Sequence, residues 1–551
     1  MKRIFALSFL LAAVSLSAVA QSKSFTIGQW VEIHNAILKE LNRSYVDSLP
    51  VGRIERDAVD AMLESLDPYT LYVPEEEQDD FRMMIGNTYG GIGAIINKPS
   101  LDANVIISEP YAGSPAVRAG IGVGDEIVRI DGKTVKGINS SEASERMKGE
   151  PGTTVSFKVI KMRGGPSWAP GDTVDIKVVR ERIHLPDVEY AGMLNDTTGY
   201  ILQSKFTEGV SAAVKEKFLE LRSKGMKKFI LDLRGNGGGL LVEAVSEVAL
   251  FVPKGSLVVT SRGNSDRETQ VLKTQTDPVD LEIPIVVLVN SSSASASEIV
   301  SGALQDLDRA TIMGTRTFGK GLVQSIRPLP YGGQLKVTTA KYYTPSGRCV
   351  QAIDYSRRNE DGSVGHIPDS LTHEFKTVGG RTVRDGGGIT PDVEIPSKEY
   401  GRLTYSVVMN LITDRYALEY YRKHESIPPV DEFHLTDEEY EDFVRFAADK
   451  EFDYRSSAKA LFDEMKKTLV NEGLAEGMAD ELFALEKSLN VDKKTFLRMK
   501  KDEIIPFIEE DIVVRYYFQE AGVQLRLRYD DQLKKALETP CLKFKEYVLR
   551  L

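Results

Sequence analysis

Two residues in the middle of the chain have types and settings that could make a nucleophile and its base. Ser295 lies in VNSSSASASEIVSGALQDL, and Lys320 lies in GTRTFGKG. The apolar run IPIVVLVN reads as a buried strand ending at Asn290. A turn of serines and alanines follows, and a helix is expected from near Ala296, with Ile299, Ala303 and Leu307 on one face. A serine at such a corner stands beside helix N–H groups that have no internal acceptor. An oxyanion forming there would meet those donors, which suits acyl transfer. The same string also reads as a capping box, with Ser295 capping the helix and Glu298 reciprocating. The pattern alone does not separate the two readings.

Lys320 has its own alternatives. Gly314 to Lys320 resembles a phosphate loop at first sight. Such a loop needs Ser or Thr directly after the lysine and then a helix. Here Gly321 follows, and LVQSIRPLP has β character and prolines. A lysine can instead act as a base when burial disfavours its ammonium form. Phe318, Gly319, Gly321, Leu322 and Val323 make an apolar neighbourhood that fits a buried amine, against the plainer reading of a surface turn. No histidine is near in sequence; the six stand at 34, 184, 366, 373, 424 and 434, and no Cys/His cluster has metal-ligand spacing. Ser456 and Lys459 form another Ser-x-x-Lys pair, in a charged helical stretch without a supporting motif.

These residues need elements to position them. Residues 184–400 alternate strand and helix patterns: GYILQSKF, VSAAVKEKFLELRSKG, KFILDL, LLVEAVSEVALFV and IPIVVLVN. That alternation predicts a mainly parallel sheet with its site at the carboxyl ends of strands. The turns at 234–239 (RGNGGG) and 291–297 both fall at such ends. Ahead of this region, TYGGIGAII opens a compact β-rich module. It holds a strand at Asn104 to Ser108, a short helix capped by Ser114 with Pro115 at its start, and EIVRIDGKTV, a hairpin turning at Asp131-Gly132. A helix around Ser141 to Lys148 and strands in Thr153 to Met162 and Thr173 to Val179 complete it. Residues 25–85 read as helices, interrupted at Asp67-Pro68. Residues 352–388 read as a long polar loop. From 401 onward helical patterns and charge runs such as DEEYEDF suggest solvated helix faces.

Composition sets outer bounds. At 551 residues the chain is long enough for several domains, and its 42% apolar and 27% charged residues are ordinary for a globular protein. Met1-Lys2-Arg3, the run IFALSFLLAAVSLSAVA and the small residues Ala18 and Ala20 predict a secretory signal peptide over 1–20, rather than a membrane anchor. No Cys near that cleavage point suggests a lipid anchor, and no later run reaches spanning length. Export across the inner membrane, to the periplasm, is the expected destination. The net charge of −11 becomes −13 without Lys2 and Arg3. An acidic chain is a poor nucleic-acid binder. With two cysteines, Cys349 and Cys541, no disulfide framework holds the fold; one bridge or two thiols both remain open.

The stretch SASASEIVSGALQDLDRATIMGTRTFGKGLVQ closely resembles the active-site segment of the carboxyl-terminal processing (tail-specific) proteases, serine peptidases with a Ser-Lys dyad and an embedded PDZ domain. ILDLRGNGGGLL, YYTPSGRCVQ, GGGITPDVEI and LESLDPYTLYVP resemble further signatures of that family, in order, over roughly residues 30 to 400. The resemblance implies a multidomain α/β fold: a ClpP/crotonase-like αβ protease core with an inserted β-rich PDZ domain and helical N- and C-terminal regions. The implied boundaries are a signal peptide 1–20, an N-terminal helical region 21–88, a PDZ domain 89–183, a catalytic core 184–400 and a C-terminal helical region 401–551. Ser295 would be the nucleophile, Lys320 the base and Gln324 the residue that orients the lysine. Gly238 and Ala296 would give the oxyanion-hole N–H groups. Gly91, Ile92 and Gly93 would form the PDZ loop that receives a substrate carboxylate. No cofactor is implied. The implied partners are protein or peptide substrates with free C-termini and a second copy of the chain, and an adaptor lipoprotein is left open.

Two positions depart from the family pattern. Lys148 stands where relatives often carry arginine, and lacks that residue's planar fork. Gly237 stands where relatives commonly carry proline, which predicts a looser oxyanion loop. A rival from another class is a PDZ-bearing scaffold that binds tails without cutting them, which would have no need of the dyad. A penicillin-binding-type acyl enzyme would rest on Ser456 and Lys459 alone.

Overall fold

The computed structural model describes residues 25–78, 81, 86–359, 361–453 and 456–541. The expected signal peptide lies outside them. Contacts divide the chain into two compact units, one ending at Tyr72 and the other running from Val73. The first unit holds a helix over 25–44 and a second over Val51–Glu64. Past the second helix, the Asp67 carboxylate accepts the N–H groups of Tyr69 and Thr70, both at 2.8 Å, which fixes the turn through Pro68.

The β-rich module begins with β1 (Thr88–Gly91), β2 (Ala94–Asn97), β3 (Val105–Pro110) and β4 (Glu126–Ile130). Helix α1 (Ser140–Met147), β5 (Thr154–Ile160), β6 (Thr173–Val179) and β7 (Glu181–His184) follow. The main sheet runs β2-β3-β4-β5-β6, and β1 pairs with β7 beside it. Alternation along β5 puts Val155, Phe157 and Val159 into a core with Ile107, Ile127 and Ala143. The predicted hairpin turn is present: Asp131 and Gly132 both have positive φ, 46° and 74°, as a type I′ turn requires. Ser114 Oγ accepts Val117 N–H ahead of Pro115.

The α/β region comprises β8 (Val188–Met193), β9 (Thr198–Gln203), α2 (Val210–Ser223), β10 (Lys228–Asp232), α3 (Leu241–Val248) and β11 (Ile285–Val289). It continues with α4 (Ala296–Asp306), β12 (Thr311–Gly314), β13 (Leu322–Pro328), β14 (Gln334–Tyr343) and β15 (Val393–Glu394). The sheet order is β8-β9-β10-β11-β12-β15, antiparallel at β8 and parallel elsewhere. The expectation of a mainly parallel sheet therefore holds. Its strand β11 is apolar throughout, and β10 is apolar between its end residues Lys228 and Asp232, because both faces are covered. Leu231, Val287 and Ile312 face α2, α3 and α4, and Ile230, Val286 and Met313 face Leu533 and Ala536 of the C-terminal region. A separate antiparallel sheet joins β13, β14 and the strand Leu257–Gly263.

Residues 352–388 differ from the loop expected there. Strands Ile353–Arg358 and Val364–His366 pair, as do Glu374–Lys376 and Thr382–Arg384. These ribbons are short and mostly exposed, and in the second only the central residues Phe375 and Val383 are sheltered, too brief an alternation to mark a strand. Beyond 401 the chain is helical, as expected, including α5 (Ile412–Lys423) and α6 (Lys501–Tyr529). It also grips the β-rich module. The Arg163 guanidinium stacks 3.3 Å from the Tyr421 ring centroid and donates to the Tyr421 and His424 carbonyls. Both cysteines are free thiols. No helix among the described residues is long and apolar enough to cross a membrane.

Candidate active site

The corner between β11 and α4 is bent sharply. Ser295, half-buried, has φ 57° and ψ −113°, a conformation rarely adopted by a residue with a side chain. Such strain persists only where the surroundings enforce it, and here they do. Asn290 N–H donates to Ser293 Oγ (2.9 Å), which donates on to the Leu233 carbonyl (2.8 Å). The Asn236 carbonyl accepts Ala294 N–H at 3.0 Å and Ser297 Oγ–H at 2.8 Å. The buried Tyr342 hydroxyl donates to the Ser295 carbonyl at 3.2 Å. The 234–239 and 291–297 turns, separate in sequence, are thus sewn together.

Glu298 joins this corner to the lysine loop. It is fully buried on the first turn of α4. One of its carboxylate oxygens accepts both Ser295 N–H (2.9 Å) and Lys320 N–H (2.8 Å). The other accepts Gly319 N–H (2.7 Å) and the Thr317 hydroxyl (2.6 Å). Burial pushes its pKa above the usual carboxylate range, and the four donors oppose that push. The sequence marked Glu298 only as a capping partner of Ser295. That half of the reading holds, but the carboxylate also carries the loop that presents the lysine. The SxxE spacing was the sole signal, and it could not show the second partner.

Lys320 is half-buried rather than buried, and Phe318 beside it is 42% exposed. The apolar neighbours in sequence point to different sides, because the loop is held by its backbone: Gly321 N–H donates to Gln351 Oε1 (2.7 Å) and Ala352 N–H to the Gly319 carbonyl (2.9 Å). Gln324 lies on β13, and its amide donates across the strand pair to Thr338 Oγ1 at 3.2 Å.

Gly238 lies against the serine turn with φ 98°. A Cβ added there would come within 2.7 Å of Ser295 Cβ and 2.9 Å of Ala296 N. Only glycine fits so close a backbone approach. Its N–H donates to Asn236 Oδ1 at 2.9 Å. Ala296 N–H is at the first turn of α4, where a helix offers no internal acceptor. Gly237 has nothing within 4 Å of an added Cβ. Behind the loop, the Asn236 amide donates to the Gln203 carbonyl at 3.0 Å. Glu247 of α3 is wholly buried beside the Gln203 side chain, and burial lifts its pKa to about 8. Arg234 pairs with Asp232 and with Asp530 of the C-terminal region, which anchors the start of the loop.

In the β-rich module, Gly91, Ile92 and Gly93 form the turn between β1 and β2, with Gly93 at φ 74°. Gly91 and Ile92 border a groove of about 330 Å³ between β2 and α1, and Gly93 is not among its lining residues. Lys148 pairs with Glu145 of α1 at 2.8 Å. Ser456 caps its own helix by accepting Lys459 N–H, and Lys459 pairs with Asp463 and Glu486, so that pair is structural.

Three family models match the chain: Peptidase family S41 over residues 197–356, a PDZ domain over 106–161, and "Probable PDZ-protease, C-terminal helical domain" over 403–539. A carboxy-terminal-processing protease of Bartonella bacilliformis is 36% identical over 358 residues, covering 63% of this chain and 80% of that protein. A "Probable CtpA-like serine protease" of Staphylococcus aureus is 36% identical over 317 residues, covering 57% of this chain and 61% of that protein. Among solved structures, a photosystem II D1 C-terminal processing protease matches at TM-score 0.36 with 27% identity, covering 67% of this chain and 86% of that one.

Proposed function

Since the chain belongs to the carboxy-terminal-processing proteases of peptidase family S41, a family of serine-type peptidases, we propose that it cleaves exported proteins with Ser295 as nucleophile and Lys320 as base. The observation that carries this reading is the single Glu298 oxygen that accepts the N–H groups of both residues. It fixes the two backbones against each other on independent elements, as a dyad needs.

In this reading neutral Lys320 takes the proton from Ser295 Oγ as that oxygen attacks the scissile carbonyl. The tetrahedral oxyanion is held by Ala296 N–H and by Gly238 N–H, which must leave Asn236 Oδ1 to do so. Collapse releases the new amine and leaves an acyl-enzyme, and water attacks that ester. Gln324, four residues after Lys320 on β13, is assigned to orient Lys320 once its amide leaves Thr338. The parallel sheet supports a ClpP/crotonase-like core in residues 184–400. The module at 89–183 takes a substrate's C-terminal end as an added strand, with the carboxylate at Gly91, Ile92 and Gly93. The basic, apolar, small-residue order of residues 1–20 supports export to the periplasm, and the helical terminal regions are assigned to a homodimer.

The test compares wild type with Ser295→Ala on a loosely folded protein ending in an apolar free carboxylate, and on the same protein amidated. Cleavage by wild type alone, weakened by amidation, is expected. Turnover by Ser295→Ala would remove the dyad. Binding without cleavage by either protein would favour a scaffold, or an enzyme held latent with Gly238 turned to Asn236.

A further inference from the structure

Behind the oxyanion loop lies a buried acid that the proposed chemistry does not use. Glu247, on the second turn of α3, is fully buried, and so is Gln203 at the end of β9. Both carboxyl oxygens of Glu247 and Gln203 Oε1 are buried without a hydrogen-bonded partner, and the two side chains are close enough to interact. Oxygens left so are costly, and a neutral acid resolves the mismatch. Its O–H can donate to Gln203 Oε1, and its carbonyl oxygen can accept one N–H of the Gln203 amide, whose other N–H is spent on the Lys205 carbonyl at 3.1 Å. Among the described residues no cation offsets Glu247. Glu243, one turn earlier, is the charged group acting on it, and is held by Gly209 N–H and by Ser211. Lys205 donates to Asn87, and Arg234 of the loop is paired with Asp232 and Asp530. The neighbouring α2 and α4 meet α3 in an apolar core that includes Val214, Phe218, Val300 and Ala303. The buried acids of α4, Glu298 and Asp306, are tied to the lysine loop and to Arg348, and Arg262 of the strand Leu257–Gly263 stacks on Tyr343.

The segment from Gln203 to Phe206 is joined to the oxyanion loop at three points. The Gln203 carbonyl accepts the Asn236 amide at 3.0 Å. Phe206 N–H donates to the Gly238 carbonyl at 3.1 Å, and Leu240 N–H donates to the Phe206 carbonyl at 2.7 Å. Asn236 Oδ1 in turn accepts Gly238 N–H. The helix that carries Glu247 starts at Leu241, directly after the loop. Glu247 is therefore tied to the loop twice, through its own helix and through Gln203.

We propose that Glu247 is a positioning residue of this enzyme: as a neutral acid it pairs with the Gln203 carboxamide and so holds the strand end against which Gly238 is set. Loss of its O–H leaves a carboxylate facing Gln203 Oε1, two buried acceptors with no hydrogen between them, and the loop slackens. Burial lifts the pKa of Glu247 to about 8, which brings that loss within reach of activity measurements. The inference rests on the oxyanion-hole reading above, and its test separates the two.

The test follows kcat and KM on the protein substrate described above, between about pH 6 and 10, for the full chain and its variants Glu247→Gln and Glu247→Leu. The ratio of wild-type to Glu247→Gln kcat removes the titration of the lysine base, which both share. That ratio should be level below about pH 7 and fall about tenfold above about pH 9, less than for a deleted oxyanion donor because the loop is slackened and not cut. Glu247→Leu should lose about tenfold in kcat at every pH, with KM within about twofold, since Gln203 then has no donor. Glu247→Gln, whose NH₂ donates to Gln203 Oε1 and does not ionise, should recover most of that loss. A ratio that stays level across the range, or Glu247→Leu with the kcat of wild type, overturns the inference while leaving the dyad intact. If Glu247→Leu does not fold, the ratio decides. No turnover by wild type, or turnover that survives Ser295→Ala, overturns the serine-lysine reading and the inference with it.

Discussion

The serine corner and the groove solve opposite problems with the same backbone devices. At the corner, a strained Ser295, a glycine pressed against it and a fully buried Glu298 are held by hydrogen bonds on every side. In the groove, Ser140 and Ser141 are exposed, and the helix contributes Ala143 and Met147 to the core of the module. Chemistry needs reacting atoms placed to within a fraction of an ångström, so the corner tolerates little change. On the proposed reading the groove takes many tails, which needs an open strand edge and a few polar contacts, so each groove contact would contribute modestly.

That contrast can be broken in order of size. Ser295→Ala should lower turnover by roughly 10⁴-fold or more, and Lys320→Arg should fall nearly as far because a guanidinium does not lose its proton at working pH. Single-turnover cleavage measures both, and an active arginine variant would exclude lysine as the base. Gly238→Ala should cost about 10²- to 10³-fold in kcat, the loss expected for a displaced oxyanion donor. Gly237→Ala, with open space around it, should stay within about twofold, because nothing there must move. Equal effects of the two alanines would show that the close approach of Gly238 is not what matters. Glu298→Gln should lower kcat by about tenfold to a hundredfold and stability by about 1–3 kcal/mol, since an amide NH₂ would face N–H donors.

The last effect concerns pH. Glu247 keeps its proton in the fold up to about pH 8, whereas the unfolded chain loses it near pH 4.5. Between these values the folded state binds the extra proton, so this group's contribution to stability falls as pH rises and levels off above about pH 8. Glu247→Gln should flatten that slope in denaturant titrations between pH 5 and 8. An unchanged slope would show that Glu247 is already ionised in the fold.

Local pattern was enough for much of this. The Asp131-Gly132 turn, the Ser114-Pro115 helix start, the wholly buried strand at Ile285–Val289 and the helix from Ala296 follow from short-range rules of turn, cap and period, which act through neighbouring residues. The ribbons in 352–388 were missed because their strands are short and mostly exposed, so what alternation they have is too brief to read. The sequence left Lys320 between a buried amine and a surface turn, and the fold makes it half-buried, on a loop held by its backbone.

What the sequence determined by itself was the cast: which residues could attack, accept a proton or receive a carboxylate, and the family whose motifs they form. What the tertiary structure decided was which groups share an atom. Glu298 links Ser295 to Lys320, Asn236 holds both the serine turn and Gly238 N–H, and Asp530 anchors Arg234 at the start of the 234–239 turn. These partners lie on different elements, and hydrogen bonds between them depend on how strands register and helices dock. No spacing along the chain encodes that register by itself.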